Sequence, residues 1–124
     1  MKKILVIDDE EDLTFFVKAN LELSGDYEVF VATSGKEGIR AAIRSNPDII
    51  LLDIMMPRMD GFEVIRKLKK NRKTSGIPVI MLTAKGDEDS RMKSASLHSE
   101  GFIVKPVQVD FLRSSIEEIL KERK

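Results

Sequence analysis

Five short apolar runs limit what this chain can fold into: Ile4 to Ile7, Val29 to Val31, Ile49 to Leu52, Val79 to Leu82 and Phe102 to Val104. Each is three or four residues long, mostly β-branched or aromatic, and none alternates apolar with polar. Continuous apolar runs bounded by polar residues are the pattern of strands covered on both faces. Between them lie segments with helical spacing. Leu13, Phe16, Val17 and Leu21 step by three or four, as do Ile39, Ala42 and Ile43, and again Phe62, Ile65 and Leu68. Phe111, Leu112, Ile116, Ile119 and Leu120 form the clearest such segment. The stretch Glu88 to His98 is weaker, with only Met92, Ala95 and Leu97 to bury. Breakers fall at the links: Ser24-Gly25-Asp26, Asn46-Pro47-Asp48 and Ser75-Gly76-Ile77-Pro78. A strand-helix alternation repeated five times predicts a parallel sheet with right-handed crossovers and helices on both faces. One doubly wound α/β domain over residues 1–124 accounts for the chain. At 14.0 kDa it buries about two thirds of its unfolded surface, enough for a core without staples. There is no cysteine, hence no disulfide framework or catalytic thiol.

What ends each strand carries the chemistry. The first run ends in Asp8-Asp9, the third in Asp53, the fourth in Thr83 and the fifth in Lys105. Ligands of open α/β sheets bind outside the carboxyl ends of the strands, where the winding reverses. Three carboxylates, a hydroxyl and an ammonium are therefore expected in one crevice. Carboxylates so placed repel and raise each other's pKa. A hard divalent cation relieves this, and Mg²⁺ suits one or two direct carboxylates plus a phosphate oxygen. Asp53 then has a metal and Lys105 to offset charge on a phosphoryl group, with Thr83 as a hydrogen-bond donor. In outline this is an aspartyl-phosphate site.

On these residues the sequence closely resembles the receiver domain of two-component response regulators. The resemblance rests on Asp8-Asp9, on the stretch Asp53-Ile54-Met55-Met56-Pro57-Arg58-Met59-Asp60-Gly61, on Thr83-Ala84 and on Phe102-Ile103-Val104-Lys105-Pro106. It covers essentially the whole chain. It implies a flavodoxin-like, CheY-like fold with strand order 2-1-3-4-5. It implies that Asp53 accepts a phosphoryl group from a phosphohistidine on a sensor histidine kinase or phosphotransfer protein. Asp9 and Asp53 would ligate Mg²⁺ directly, Asp8 mainly through water, with the Met55 backbone carbonyl as a further ligand. Thr83, Ala84 and Lys105 would contact the phosphoryl group, Thr83 and Phe102 would form the switch pair, and the Lys105-Pro106 bond would be cis. The face made by the fourth helix, fifth strand and fifth helix would then control an output protein or a C-terminal effector domain.

Competing readings fit less well. Acids in a first helical turn complement the helix dipole and one of them can be the N-cap, which accounts for Glu10, Glu11 and Asp12. Thr83 could serve partly as a cap, and Lys105 as a surface lysine. The cluster Arg66, Lys67, Lys69, Lys70, Arg72 and Lys73 suggests nucleic acid, but it sits at a helix end where cations offset the dipole. Lys plus Arg and Asp plus Glu are both 21, so the net charge is zero and no direct nucleic-acid binding is expected. Neither Gly-x-x-x-x-Gly-Lys-Ser/Thr nor Gly-x-Gly-x-x-Gly occurs, and Ser34-Gly35-Lys36-Glu37-Gly38 reads as a helix start. A flavin carrier would want a phosphate-cradling loop after the first strand, where this chain is acidic. An aspartyl-phosphate hydrolase would want an acid two residues past the nucleophile, where this chain has Met55. The domain is therefore expected to store a phosphoryl group and not to be an enzyme that turns it over. A constitutive binding module of the same fold would lack a pocket residue, and none is missing. His98 is expected in an ordinary surface loop.

The chain departs from the family pattern before the last strand, where His98-Ser99-Glu100-Gly101 stands for the usual Gly-Ala-acid-acid. No apolar run reaches the ~18 residues of a membrane span, and the start is too short for a signal peptide. A cytoplasmic, mainly monomeric domain with no membrane contact is the expectation.

Overall fold

The computed structural model describes residues 1–84 and 86–122. The elements run β1 (Lys2–Ile7), α1 (Glu11–Glu22), β2 (Tyr27–Ala32), α2 (Gly35–Ser45), β3 (Ile49–Asp53), α3 (Gly61–Lys70), β4 (Val79–Thr83), α4 (Glu88–Ser96), β5 (Gly101–Val104) and α5 (Val109–Glu122). All strand pairs are parallel, in the order β2-β1-β3-β4-β5.

Alternate residues of a strand point to opposite faces, so each continuous apolar run feeds two cores. Ile4, Val6, Ile49, Leu51, Ile80, Leu82 and Ile103 pack with Val17 and Leu21 of α1 and Leu112 and Ile116 of α5. Leu5, Ile7, Ile50, Leu52, Val79 and Met81 pack with Ala42 of α2 and Phe62, Val64, Ile65 and Leu68 of α3. Burial on both faces holds for β3 and β4 throughout and for β1 from Ile4 onward. It does not hold for the edge strands. In β2 Glu28 and Val31 are exposed, and in β5 Val104 is exposed. An edge strand has only one neighbour and partial helix cover, so its outer residues meet solvent.

Three helices start on a side-chain cap: Ser34 Oγ accepts from Glu37 N, Asp60 Oδ1 from Glu63 N and Asp87 Oδ1 from Ser90 N. Ser34-Gly35-Lys36-Glu37-Gly38 is thus a capped helix start. Its Gly38 is required by close approach, since a Cβ there would lie 2.6 Å from Ile7 Cδ1. The start of α3 is fastened to the end of β3. Gly61 N donates to Ile54 O at 2.8 Å, and a Cβ on Gly61 would strike the Asp53 carbonyl oxygen.

Several side chains expected inside are outside. Phe16 of α1 and Phe111 of α5 are exposed, each at the margin of its helix's apolar stripe. The larger correction is α4. Met92 and Ala95 are exposed and Leu97 is half-buried; the buried residue is Ser94. Two cations fasten this polar helix to the body, Arg91 over the Phe102 ring and Lys93 over the Phe62 ring, each 4.6 Å from the centroid. His98, at φ 67°, closes α4 in the left-handed region: His98 N donates to Ala95 O and Ser99 N to Ser94 O, the paired bonds of a Schellman cap.

Candidate functional site

The parallel register sets the ends of β1, β3 and β4 side by side, and polar residues occupy those ends. Asp8 follows β1, anchored by its backbone N–H on Ala32 O at 3.1 Å, and its Oδ1 accepts from Glu10 N at 2.9 Å. Asp53 closes β3, and Ile54 N continues the ladder to Leu82 O at 2.9 Å. Lys105 follows β5, with its N–H on Thr83 O at 2.7 Å and a cis peptide to Pro106. Asp8 and Asp53 are buried, while Asp9 is exposed at the rim.

A carboxylate oxygen from each of Asp8, Asp9 and Asp53 lies within 4.8 Å of the others. The Lys105 ammonium stands 3.0 Å from Asp8 Oδ2 and 3.4 Å from Asp53 Oδ1. These two buried oxygens are close to the cation yet have no aligned hydrogen bond among the described residues. Burial is the main cause that raises the Asp53 pKa to about 7; the Asp8 charge adds to it, while Lys105 and the Met55 backbone N–H oppose it. Burial also raises Asp8, against the Glu10 backbone N–H and Lys105. Burial works against the charge on Lys105, but the hydrogen bond to Glu10 and the close carboxylates of Asp8 and Asp53 outweigh it, and its pKa is raised.

Of the other sequence-predicted residues, Thr83 is buried at the end of β4, opposite Val104, and Ala84 is exposed just beyond it. The Met55 side chain is exposed. Phe102 is half-buried on β5 opposite Met81, with the Arg91 guanidinium over its ring. Lys85, a residue that could cover the pocket mouth, lies outside the described residues.

One member of the site is not apparent in the sequence. Glu10 Oε1 accepts from Lys105 Nζ at 2.7 Å. Glu10 is assigned by the sequence to complementing the helix dipole or to capping α1. It is the N-cap residue of α1 yet makes no side-chain cap bond. Glutamate is a poor N-cap residue, and that mismatch was the available signal.

The donor set is all oxygen, compact and partly orphaned, which suits a hard divalent cation. The sequence model of the response regulator receiver domain matches residues 4–117. The chain is 35% identical over 121 residues to the DNA-binding dual master transcriptional regulator RpaA of Synechocystis, covering 98% of this chain and 50% of that protein. It is 37% identical over 120 residues to the alkaline phosphatase synthesis transcriptional regulatory protein PhoP of Bacillus subtilis, covering 97% of this chain and 49% of that one. The chain therefore spans about half the length of these curated relatives. Among solved structures, a CheY-like receiver domain protein from Methanospirillum hungatei superposes with a TM-score of 0.91 at 32% identity, over 98% of this chain and 95% of that one. The chemotaxis protein CheY4 of Vibrio cholerae gives 0.90 at 27% identity, over 96% and 98%. With its strand order and its acidic crevice, the chain belongs to the response regulator receiver domain family, the phospho-accepting switches of two-component signalling.

Proposed function

We propose that Asp53 is the phosphoacceptor and that the phosphodonor is a phosphohistidine on a sensor kinase or phosphotransfer protein. One observation carries this reading: a buried carboxylate at a strand end, with an unaligned oxygen 3.4 Å from an ammonium. In the transfer a carboxylate oxygen of Asp53 bonds to phosphorus, the histidine N–P bond breaks, and its electron pair returns to the ring. Lys105 offsets the negative charge on the phosphoryl oxygens. Thr83 and the Ala84 backbone N–H supply hydrogen bonds. Asp8, Asp9, Asp53 and the Met55 carbonyl would hold Mg²⁺, which when bound supplies positive charge against the carboxylates and the phosphoryl group.

Thr83 then turns toward the phosphoryl oxygens, and Phe102 leaves Arg91 for the space this opens. The outcome is a shifted population of the α4-β5-α5 face, read by an output protein or effector domain. Asp53 holds the phosphoryl group and does not turn it over as an enzyme would, because Met55 offers no acid or base.

A small phosphodonor such as phosphoramidate, with Mg²⁺, should add one phosphoryl group, as read by intact mass. Asp53→Ala should abolish the gain, and chelator should suppress it in the wild type. Stoichiometric labelling of the mutant would overturn the assignment, and equal rates in chelator would overturn the metal role. Absence of labelling under all conditions would leave a constitutive binding module of the same fold.

A further inference from the structure

Lys105 is the side-chain cation that the reading above assigns to the phosphoryl group, and the aligned side-chain hydrogen bond it makes among the described residues goes elsewhere. It donates to Glu10 Oε1 at 2.7 Å across 95 residues of chain, while Asp53 Oδ1 stands at 3.4 Å without alignment. The Glu10 carboxylate is free for this because it takes no part in capping α1. Glu11 and Asp12 occupy the first turn, where acids complement the dipole. The Glu10 side chain is 62% exposed and that of Lys105 14%, so the pair sits at the mouth of the pocket, with the ammonium below and the carboxylate above.

We propose that Glu10 is a positioning residue that holds Lys105 in the resting protein and competes with the phosphoryl group for it. The proposal rests on Asp53 being the phosphoacceptor. A phosphoryl group brings close to two negative charges. To meet them the ammonium must share or leave Glu10, and the Glu10 carboxylate itself repels the newcomer. The contact therefore favours the unphosphorylated state. Exposed ion pairs of this kind move an equilibrium by roughly 1.5- to 5-fold.

The test is Glu10→Gln in the full chain at saturating Mg²⁺, with beryllofluoride as the phosphoryl mimic and occupancy followed by amide NMR. The variant should half-saturate at a concentration roughly 1.5- to 5-fold lower than the wild type. The gap should narrow as salt is raised. In the resting protein without mimic, the side-chain resonances of Lys105 should shift on the same substitution. A residue that merely complemented the helix dipole would lower stability a little and move neither readout. Unchanged or weaker mimic binding by Glu10→Gln, or an unmoved Lys105 resonance, overturns the proposal. Failure of the wild type to take the mimic at Asp53 is a different result: it overturns the phosphoacceptor reading, and this inference with it.

Discussion

Asp53 retains its proton in the metal-free protein over a range in which surface aspartates have lost theirs, and this makes stability depend on pH. Burial and the Asp8 charge raise its pKa from 3.8 to about 7. Between those values the native state binds more protons than the unfolded chain, so each step up in pH favours unfolding. Asp8 is raised too and acts with the same sign. Lys105 is raised from 10.5, so the stability it contributes is fully present below that value and does not vary in this window. In chelator, stability should fall from about pH 4 to pH 7, by roughly 2–4 kcal/mol for a shift of this size. Asp53→Asn should flatten the slope and be more stable than wild type at pH 8. Adding Mg²⁺ at pH 8 should recover about 2.7 kcal/mol at a hundredfold excess over its dissociation constant. Thermal melts across the range check this, and a flat or rising profile in chelator would refute it. Met55 carries a second expectation. Its exposed thioether cannot orient a water, so Met55→Asn or Met55→Glu should shorten the phosphoryl lifetime several-fold, followed by loss of label after donor removal. No change or a longer lifetime counts against a storage role for Met55. Asp8, Asp53, Thr83 and Lys105 were legible because each directly follows an apolar run. Glu10 was not, because its partner lies 95 positions away and no local pattern joins them.

At the level of elements, sequence reading worked where periodicity is enforced by burial and failed where it is not. The central strands and α3 bury what their patterns predict. In α4 the apolar residues Met92 and Ala95 are exposed and Ser94 is buried, because the helix is attached through Arg91 and Lys93 on aromatic rings instead of an apolar stripe. Cation–π contacts leave no hydrophobic period to read. Ser94 Oγ is buried without a hydrogen-bond partner among the described residues, and such a group costs about 1–3 kcal/mol in lost hydration. Ser94→Ala should therefore stabilise the protein by about 1 kcal/mol, raising the melting temperature by a few degrees. A lower melting temperature would show that the hydroxyl is satisfied. His98→Gly should stabilise by a similar amount, about 1 kcal/mol, because the left-handed cap geometry costs a residue with a Cβ and costs glycine nothing. The family pattern has glycine at that position, and the cap gives the physical reason. A melting temperature at or below that of the wild type would show that His98 carries no such strain.

For the whole molecule, alternating strands and helices dictated a parallel sheet, while the strand order came only from the resemblance, since no local signal says which strands pair. Assembly is harder still to read, because it depends on which side chains remain available once the domain has folded. Transcription-factor receivers often dimerise through α4, β5 and α5 using cross-subunit ion pairs, among them an acid just before the switch aromatic and an arginine ten residues beyond the lysine. This chain has Gly101 and Ser115 there. The neighbouring acid does not substitute, because Glu100 Oε1 accepts from Val79 N at 2.9 Å and lies 3.8 Å from Lys69. Ser115 Oγ donates to its own helix at Phe111 O, 2.9 Å away. The face instead exposes Met92, Val104 and Phe111. Each surface ion pair is worth about 0–1 kcal/mol, so losing one does not forbid association, but it removes the charge pattern that fixes one geometry. The beryllofluoride-bound protein should stay largely monomeric at micromolar concentration and offer the Phe102 face to a different protein. Light scattering with and without the mimic decides this. A clean shift to twice the monomer mass, abolished by Phe111→Ser or Met92→Ser, would show that the family dimer forms on apolar contacts despite the missing charges.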